Sequence, residues 1–227
     1  MSGQSAFSLE DRRSSFGLNS FALKCIALIT MIIDHVGAIL YPEAGVLRII
    51  GRIAFPIYAF LVAEGFYHTK NVKKYMLRLL LFAIVSEIPF DLALTGQILE
   101  FGHQNVFFTL FAGLLLMELY SRQTSSAGRL ICILAVTTLG DLIRSDYGAW
   151  GILIIFCFYV FRENIWLKML VVSGIHIFAF GSVQSFAVLA CIPIALYNGE
   201  KGANIKYAFY GIYPLHLLVL YMIKQAM

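Results

Sequence analysis

Residues 21–41 form one almost unbroken apolar stretch, FALKCIALITMIIDHVGAILY. Because a transmembrane helix needs about 20 mainly apolar residues, this stretch is long enough to cross a bilayer. Comparable stretches recur along the chain, and only 13% of all residues are charged, against about 25% in soluble domains. The pattern predicts an all-α integral membrane protein built as a single helical bundle.

The hydropathy pattern predicts nine transmembrane helices. Several are shorter than the roughly 20 residues of a perpendicular span, so the expected range is eight to ten. A polar segment, residues 1–20, precedes one transmembrane domain, residues 21–227. The first apolar stretch exceeds the core of about 7–15 residues in a signal peptide, so we expect it to be retained. The nine candidates are residues 21–41, 46–67, 75–94, 104–120, 130–144, 147–161, 166–180, 183–197 and 206–224.

The positions of Lys and Arg predict the orientation of this bundle. With a cytoplasmic N-terminus, thirteen of the 17 Lys and Arg residues fall on the cytoplasmic side, and only Arg48, Arg52, Arg144 and Lys224 fall outside. Cytoplasmic loops carry such an excess of positive charge. We therefore expect a multi-pass protein of the plasma membrane, of the bacterial inner-membrane type, with its N-terminus in the cytoplasm.

Several classes of function find no support in the sequence. The net charge of +4 is too small to indicate a nucleic-acid partner. The four cysteines lie in apolar stretches without the spacing of a zinc site or a disulfide framework. The sequence also has no glycine-rich nucleotide motif and no HExxH metal motif, so we expect no metal.

Lys24, a cation, and His35, a potential base, lie on one face of the first helix. They are eleven residues apart, which corresponds to about 16 Å along the axis and almost the same angular position. With Lys24 at the cytoplasmic edge, His35 then lies near the bilayer midplane. A neutral imidazole there is suited to remove a proton from an amine or a hydroxyl.

Other ionisable residues fall near the same depth, namely Asp34, Glu87, Asp141, His176 and His216. Such groups are costly inside a membrane and usually face the bundle interior or a wet cavity. We expect a shared polar chamber in which Asp34, Glu87 or Asp141 orients or charge-balances His35. The structural alternative is that these residues form hydrogen bonds between helices.

Arg48 and Arg52 lie on the outer side, where other cations are scarce. They are four residues apart, as are Glu87 and Asp91, so each pair shares one helix face. We expect the two pairs to neutralise each other, since buried ions need partners. The pairing would also shape an outer pocket for an acceptor, with Asp141 and His216 as further contacts.

A cluster of basic residues lies between the second and third spans on the inner side. It comprises Lys70, Lys73, Lys74 and Arg78. One interpretation is ordinary anchoring of the topology. The other, strengthened by Lys24, is a seat for an anionic cofactor, because lysines bind phosphates as point charges.

The Lys24-x10-His35 spacing resembles the Arg/Lys-x10-His signature of transmembrane acyltransferases of the acyltransferase-3 superfamily. Further segments resemble, more closely, the TraX family of F-pilin acetylases, and together they cover nearly all of residues 21–224. These segments are IIDHVG, GRIAFPIYAFLVAEGF, SEIPFDL, NVFFTL, DYGAWG and YGIYPLHL.

This resemblance implies an acetyltransferase that takes an acetyl group from cytoplasmic acetyl-CoA and has His35 as its catalytic residue. It implies an amine or hydroxyl acceptor, which for TraX is the α-amine of a pilin; a glycan acceptor stays open. The chain departs from larger acyltransferase-3 proteins in that Arg78 follows two lysines instead of forming a tight arginine pair.

Two other classes of function are alternatives to an enzyme. A proton-coupled transporter or exporter would use the midplane carboxylates and histidines as a relay, but transporters often contain internal repeats, and none is visible here. A non-catalytic assembly factor for surface appendages would tolerate a conservative change at His35.

Overall fold

The computed structural model describes residues 17–203 and 206–227, and these ranges are helical apart from short connections. Most of the predicted polar segment 1–20 lies outside the described residues. The α-helices are α1 (Ser20–Ile39), α2 (Gly45–Gly51), α3 (Ala54–His68), α4 (Val72–Thr95), α5 (Val106–Ser121), α6 (Ser126–Leu142), α7 (Gly148–Val160), α8 (Ile165–Ala179), α9 (Cys191–Ala195) and α10 (Lys206–Ala226). A 3-10 helix, Gln184–Ala190, leads into α9.

Side-chain caps define where several helices begin. Asn19 accepts a hydrogen bond from the Ala22 amide and Asn71 accepts one from the Lys74 amide, each at 2.9 Å. Asn105, Ser125 and Asn164 cap α5, α6 and α8 in the same way. Since the first amides of a helix have no partner within it, Asn and Ser are favoured at these positions.

The nine predicted spans coincide with helical segments, and two of them are interrupted. Residues 46–67 divide into α2 and α3 at Arg52 and Ile53, because Pro56 has no amide hydrogen to donate to the Arg52 carbonyl. Residues 183–197 form the 3-10 helix and the short α9, which contains Pro193.

Two helical segments of the described chain, α1 and Gly45–His68, are long and apolar enough to cross a membrane. α5, α7, α8 and Gln184–Ala195 are apolar but shorter. Across residues 17–203 and 206–227 the all-helical fold predicted from the sequence is confirmed, and the number of complete crossings stays a prediction.

The site is framed by helices that pack around α1. α1 contacts α2, α3 and α10, while α5 packs against α4, α6 and α7. Leu23, Ile57, Leu114 and Leu217 are fully buried in the core between them. This arrangement brings residues from distant parts of the sequence to the middle of α1.

Candidate functional site

Asp34 binds two arginines in the bundle. Arg48 Nη1 donates to Asp34 Oδ2 at 2.7 Å, and Arg52 Nη2 donates to both carboxylate oxygens. Arg52 also donates from Nη1 to Gln184 Oε1 at 2.9 Å. The side chains of Asp34 and Arg52 are only 12% and 14% exposed, so most of this ion pair is removed from solvent.

Glycines allow α1 and α2 to approach each other at this cluster. A Cβ atom at Gly51 would overlap the Asp34 carboxylate, and one at Gly37 would lie 2.8 Å from Leu47 Cβ. A residue larger than glycine at position 51 would therefore displace Asp34 from its arginines. The GR pair in the sequence GRIAFP thus supplies both the space and one of the cations.

The expected pairing of Arg48 and Arg52 with Glu87 and Asp91 is wrong. Glu87 instead accepts a hydrogen bond from Asn105 Nδ2, and Asp91 accepts one from the Glu100 amide at 2.8 Å. Asp34 is adjacent in sequence to His35 but points about 100° away from it around the helix. Helix α2 turns back beside α1. The carboxylate that Arg48 and Arg52 contact is therefore Asp34 of α1.

His35 is held by a second histidine from the other end of the chain. Its Nδ1 atom lies 2.7 Å from Nε2 of His216, and the rings are stacked with centroids 4.9 Å apart. His216 Nδ1 in turn lies 2.9 Å from the Ile212 carbonyl oxygen. His35 is half-buried and His216 is buried.

The hydrogen-bond chain assigns the tautomer of each ring. A carbonyl oxygen can only accept, so His216 Nδ1 carries a proton and, in the neutral ring, Nε2 is left as the acceptor. His35 Nδ1 must then donate to it. The neutral His35 ring therefore has a lone pair on Nε2, and no described residue hydrogen-bonds to that atom.

A large cavity opens at the end of the bundle that contains Lys24. Its volume is about 550 Å³. The start of α1, the end of α3 and the start of α4 surround it, together with the segment that precedes α10. Apart from tyrosines, its charged and titratable lining residues are Lys24, Glu64, His68, Arg78 and Lys201.

Of the basic residues proposed to seat a cofactor, only Lys24 and Arg78 line this large cavity. The Arg78 guanidinium lies 5.0 Å from the Tyr75 ring centroid and 5.4 Å from that of Tyr210, and its buried Nε has no hydrogen-bond partner in the described chain. Lys70, Lys73 and Lys74 are exposed and are not among the residues that line the cavity.

Lys201 also lines this cavity, although the sequence did not indicate it as a binding residue. The segment around it is tied to the start of α1 by backbone hydrogen bonds, including Leu18 N to Leu196 O at 2.7 Å and Ser20 N to Glu200 O at 2.8 Å. These bonds hold Lys201 in the lining of the same cavity as Lys24. Sequence periodicity could not have indicated this, because the segment is irregular.

A small cavity of about 130 Å³ lies toward the opposite ends of α1 and α3. Met31, Tyr58, Val106 and Tyr213 line both cavities and form the wall between them. Apart from tyrosines, the ionisable residues of the small cavity are Asp34, His35, Arg48, Arg52, His103 and Asp146. The small cavity therefore contains both His35 and the arginine cluster, which consists of Arg48, Arg52 and their counter-ion Asp34.

His103 and Asp146 are paired in the lining of the small cavity. His103 Nε2 lies 3.1 Å from Asp146 Oδ1, and this hydrogen bond with the carboxylate raises the pKa of His103 above its usual value. The two residues lie on the α4–α5 and α6–α7 connections. These connections also pair through Gln104 N and Arg144 O, at 2.9 Å.

Three other predicted residues lie apart from His35. Asp141 is exposed and accepts a hydrogen bond from the Ala149 amide at 2.7 Å, which caps the start of α7. His176 is completely buried, with no hydrogen-bond partner for either ring nitrogen in the described residues. Glu87 joins α4 to Asn105. The single polar chamber expected from the sequence is thus reduced to His35, His216 and the arginine cluster.

A family model described as TraX protein matches residues 20–224. The chain belongs to the TraX family. The match runs from the start of α1 to the last turns of α10, so it includes both cavities and both histidines of the His35–His216 pair.

One relative of this TraX-family chain is a "Probable fimbrial assembly protein FimC, serogroup H1" of Dichelobacter nodosus, which is 29% identical over 91% of this chain and 96% of the relative. A second is an uncharacterized protein of Rickettsia prowazekii (strain Madrid E), 39% identical over 29% of this chain and 25% of the relative. No solved structure matches the chain.

Proposed function

We propose that this TraX-family chain is an integral-membrane acetyltransferase. In this proposal acetyl-CoA enters the large cavity from the cytoplasm, and an amine or hydroxyl acceptor receives the acetyl group at His35. The observation that carries the proposal is the position of His35, whose Nδ1 is hydrogen-bonded to His216 and whose Nε2 is left as a base beside the wall between two cavities.

The outer surface of the bundle supports insertion in a membrane. α4 exposes Leu77, Leu81, Ile84 and Ile88, which share one face of the helix, and α10 exposes Leu215, Val219 and Met222 in the same manner. Trp166 and Phe178 of α8 are 83% and 90% exposed. Large contiguous apolar surfaces are rare on soluble monomers, and they suit contact with lipid chains.

The large cavity suits a long anionic donor such as acetyl-CoA. Lys24, Arg78 and Lys201 are cations in its lining, and the buried Nε of Arg78 has no hydrogen-bond partner in the described chain. The wall that this cavity shares with the small cavity contains Met31, one helical turn before His35. Phosphates held by these three cations would thus leave the thioester arm free to extend along the Lys24–His35 face of α1.

His35 and His216 have separate tasks in the proposed reaction. The acceptor nitrogen or oxygen attacks the acetyl carbonyl carbon, and its proton passes to His35 Nε2. The carbon–sulfur bond then breaks, with its electrons leaving on the CoA sulfur, which takes up the proton. His216 acts as a positioning residue, because it fixes the His35 tautomer and stabilises the imidazolium, as the third member of a triad does. Transfer through an acetylated His35 would use the same nitrogen.

The identity of the acceptor is proposed only as a class. The Dichelobacter relative is named for fimbrial assembly, which favours a pilin-like peptide amine for this chain as well, with a cell-surface glycan hydroxyl as the second class. The small cavity, with Arg48 at 33% side-chain exposure, lies on the side that the charge distribution assigns to the exterior.

The test is consumption of acetyl-CoA by the purified protein in nanodiscs, comparing the wild type with His35→Gln and with His176→Gln. CoA release is followed in the presence of a short peptide with a free α-amine, and folding is checked by thermal unfolding. Release by the wild type and His176→Gln, but not by folded His35→Gln, supports the proposal. No release by the wild type, with no effect of CoA on its melting temperature, would refute it and favour a proton-coupled transporter.

A further inference from the structure

The wall between the two cavities is built by one residue from each of four helices. Met31 comes from α1, Tyr58 from α3, Val106 from the first turn of α5, and Tyr213 from α10. Met31 and Tyr213 are 7% and 3% exposed, so both are packed among other side chains. The wall is therefore a constriction held by the whole bundle and not by one loop.

Met31 lies between the charged end and the reactive end of one helix face. It follows Lys24 by seven residues and precedes His35 by four, and both intervals return to nearly the same side of a helix. Lys24 lines only the large cavity and His35 only the small one, whereas Met31 lines both. A group that passes from the large cavity to His35 must pass the wall of which Met31 is a part.

The space beyond the wall is small. The small cavity, which contains His35, has a volume of about 130 Å³. This is less than a quarter of the volume of the large cavity, about 550 Å³. The small cavity must hold the acyl group and the reacting end of the acceptor together. Close-packed interiors tolerate added methylene groups poorly, because the neighbours have to shift.

We propose that Met31, Tyr58, Val106 and Tyr213 form a ruler for acyl-chain length, which limits the donor to acetyl-CoA. This inference rests on the proposed acetyltransferase function and adds the choice of donor. In it, the sulfur stays on the large-cavity side of the wall and only the acyl group reaches His35. A longer acyl chain has to displace the acceptor or the wall residues.

The ruler predicts a measurable discrimination between donors. The value of kcat/KM should fall by about tenfold or more for each methylene added from acetyl- to propionyl- to butyryl-CoA, as observed for overfilled pockets. Met31→Ala and Val106→Ala enlarge the constriction and should each recover butyryl-CoA use by about tenfold relative to acetyl-CoA. His35 and His216 are unchanged in both variants.

The experiment measures CoA release from acetyl-, propionyl- and butyryl-CoA by the full-length protein in nanodiscs, with a short peptide bearing a free α-amine as the acceptor probe. Met117→Ala is the matched control, because Met117 is fully buried in α5 and is not among the residues that line either cavity. It should lower the melting temperature without changing the order of donor preference.

The outcomes separate the ruler from the proposed function. Turnover of acetyl-CoA with a steep fall for longer donors, relaxed in Met31→Ala or Val106→Ala but not in Met117→Ala, supports the ruler. Equal kcat/KM for the three donors in the wild type, or an unchanged preference in both wall variants, overturns the ruler and leaves the acetyltransferase proposal standing. If the wild type turns over none of the donors, both proposals fail.

Discussion

His35 Nδ1 and His216 Nε2 are 2.7 Å apart, although the residues are separated by 181 positions in the sequence. Because His216 Nδ1 is committed to the Ile212 carbonyl, the shared proton belongs to His35 Nδ1. The two hydrogen bonds therefore form a chain: His35 donates to His216, and His216 donates to the Ile212 carbonyl oxygen of α10. His35 Nε2 on α1 is left free as an acceptor.

Removing the His216 ring should lower the rate of the proposed reaction more than the binding of its donor. For His216→Leu we expect kcat to fall by about 10²-fold or more, the lower end of what a positioned general base contributes, with KM for acetyl-CoA nearly unchanged. His216→Gln should recover part of the rate, since its side-chain oxygen can accept from His35 Nδ1. An unchanged kcat in folded His216→Leu would reduce His216 to a packing role.

Loss of the Asp34 carboxylate should destabilise the fold strongly. Asp34→Asn leaves the largely buried Arg52 without its counter-ion, and breaking a buried ion pair in this way costs about 3–5 kcal/mol. Glu118→Gln is the control, because it breaks the ion pair with Arg122, whose side chain is 61% exposed, and should cost less than about 1 kcal/mol. Equal shifts in melting temperature for the two variants would contradict the buried-pair account.

Binding of CoA should depend on the cations that line the large cavity and not on the exposed lysines. Saturating CoA should raise the melting temperature of the wild type, because a ligand that binds the folded state stabilises it. Arg78→Gln and Lys201→Gln should reduce this rise, while Lys70→Gln and Lys74→Gln should keep it. The reverse order would move the donor site to the basic cluster first proposed from the sequence.

The His103–Asp146 pair should make stability depend weakly on pH. The hydrogen bond to Asp146 raises the folded-state pKa of His103, so this stabilisation is fully present below the unfolded pKa of about 6.5 and is lost as pH rises through the higher folded pKa. Since the His103 side chain is 50% exposed, the effect should be at most about 1 kcal/mol. Melting curves at pH 6 and 8 should differ more for the wild type than for His103→Gln.

The predicted topology is open to a direct measurement. With the N-terminus in the cytoplasm and nine crossings, a reporter that fluoresces only in the cytoplasm should be dark when fused after Met227. The same reporter fused after Ser125, between α5 and α6, should be bright, because the charge distribution places that connection inside. A bright fusion at both positions would require an even number of crossings.

The sequence by itself determined the helices and the positions of Lys24 and His35 on one side of α1. Apolar runs of bilayer length specify helices wherever the backbone has to satisfy its own hydrogen bonds, and asparagine caps specify several helix starts. The eleven-residue interval between Lys24 and His35 placed both on one side because the helical repeat is fixed. These are local properties, and local properties can be read from spacing.

The tertiary structure decided which polar groups meet. The sequence paired Arg48 and Arg52 with the wrong carboxylates, because four-residue spacing shows that residues share a face but not which helix that face contacts. The short α2 turns back onto α1, and the absence of a side chain at Gly51 admits the Asp34 carboxylate. The partnership of His35 with His216, and the wall at Met31, likewise depend on α10 packing against α1, a contact between chain ends that no local pattern encodes.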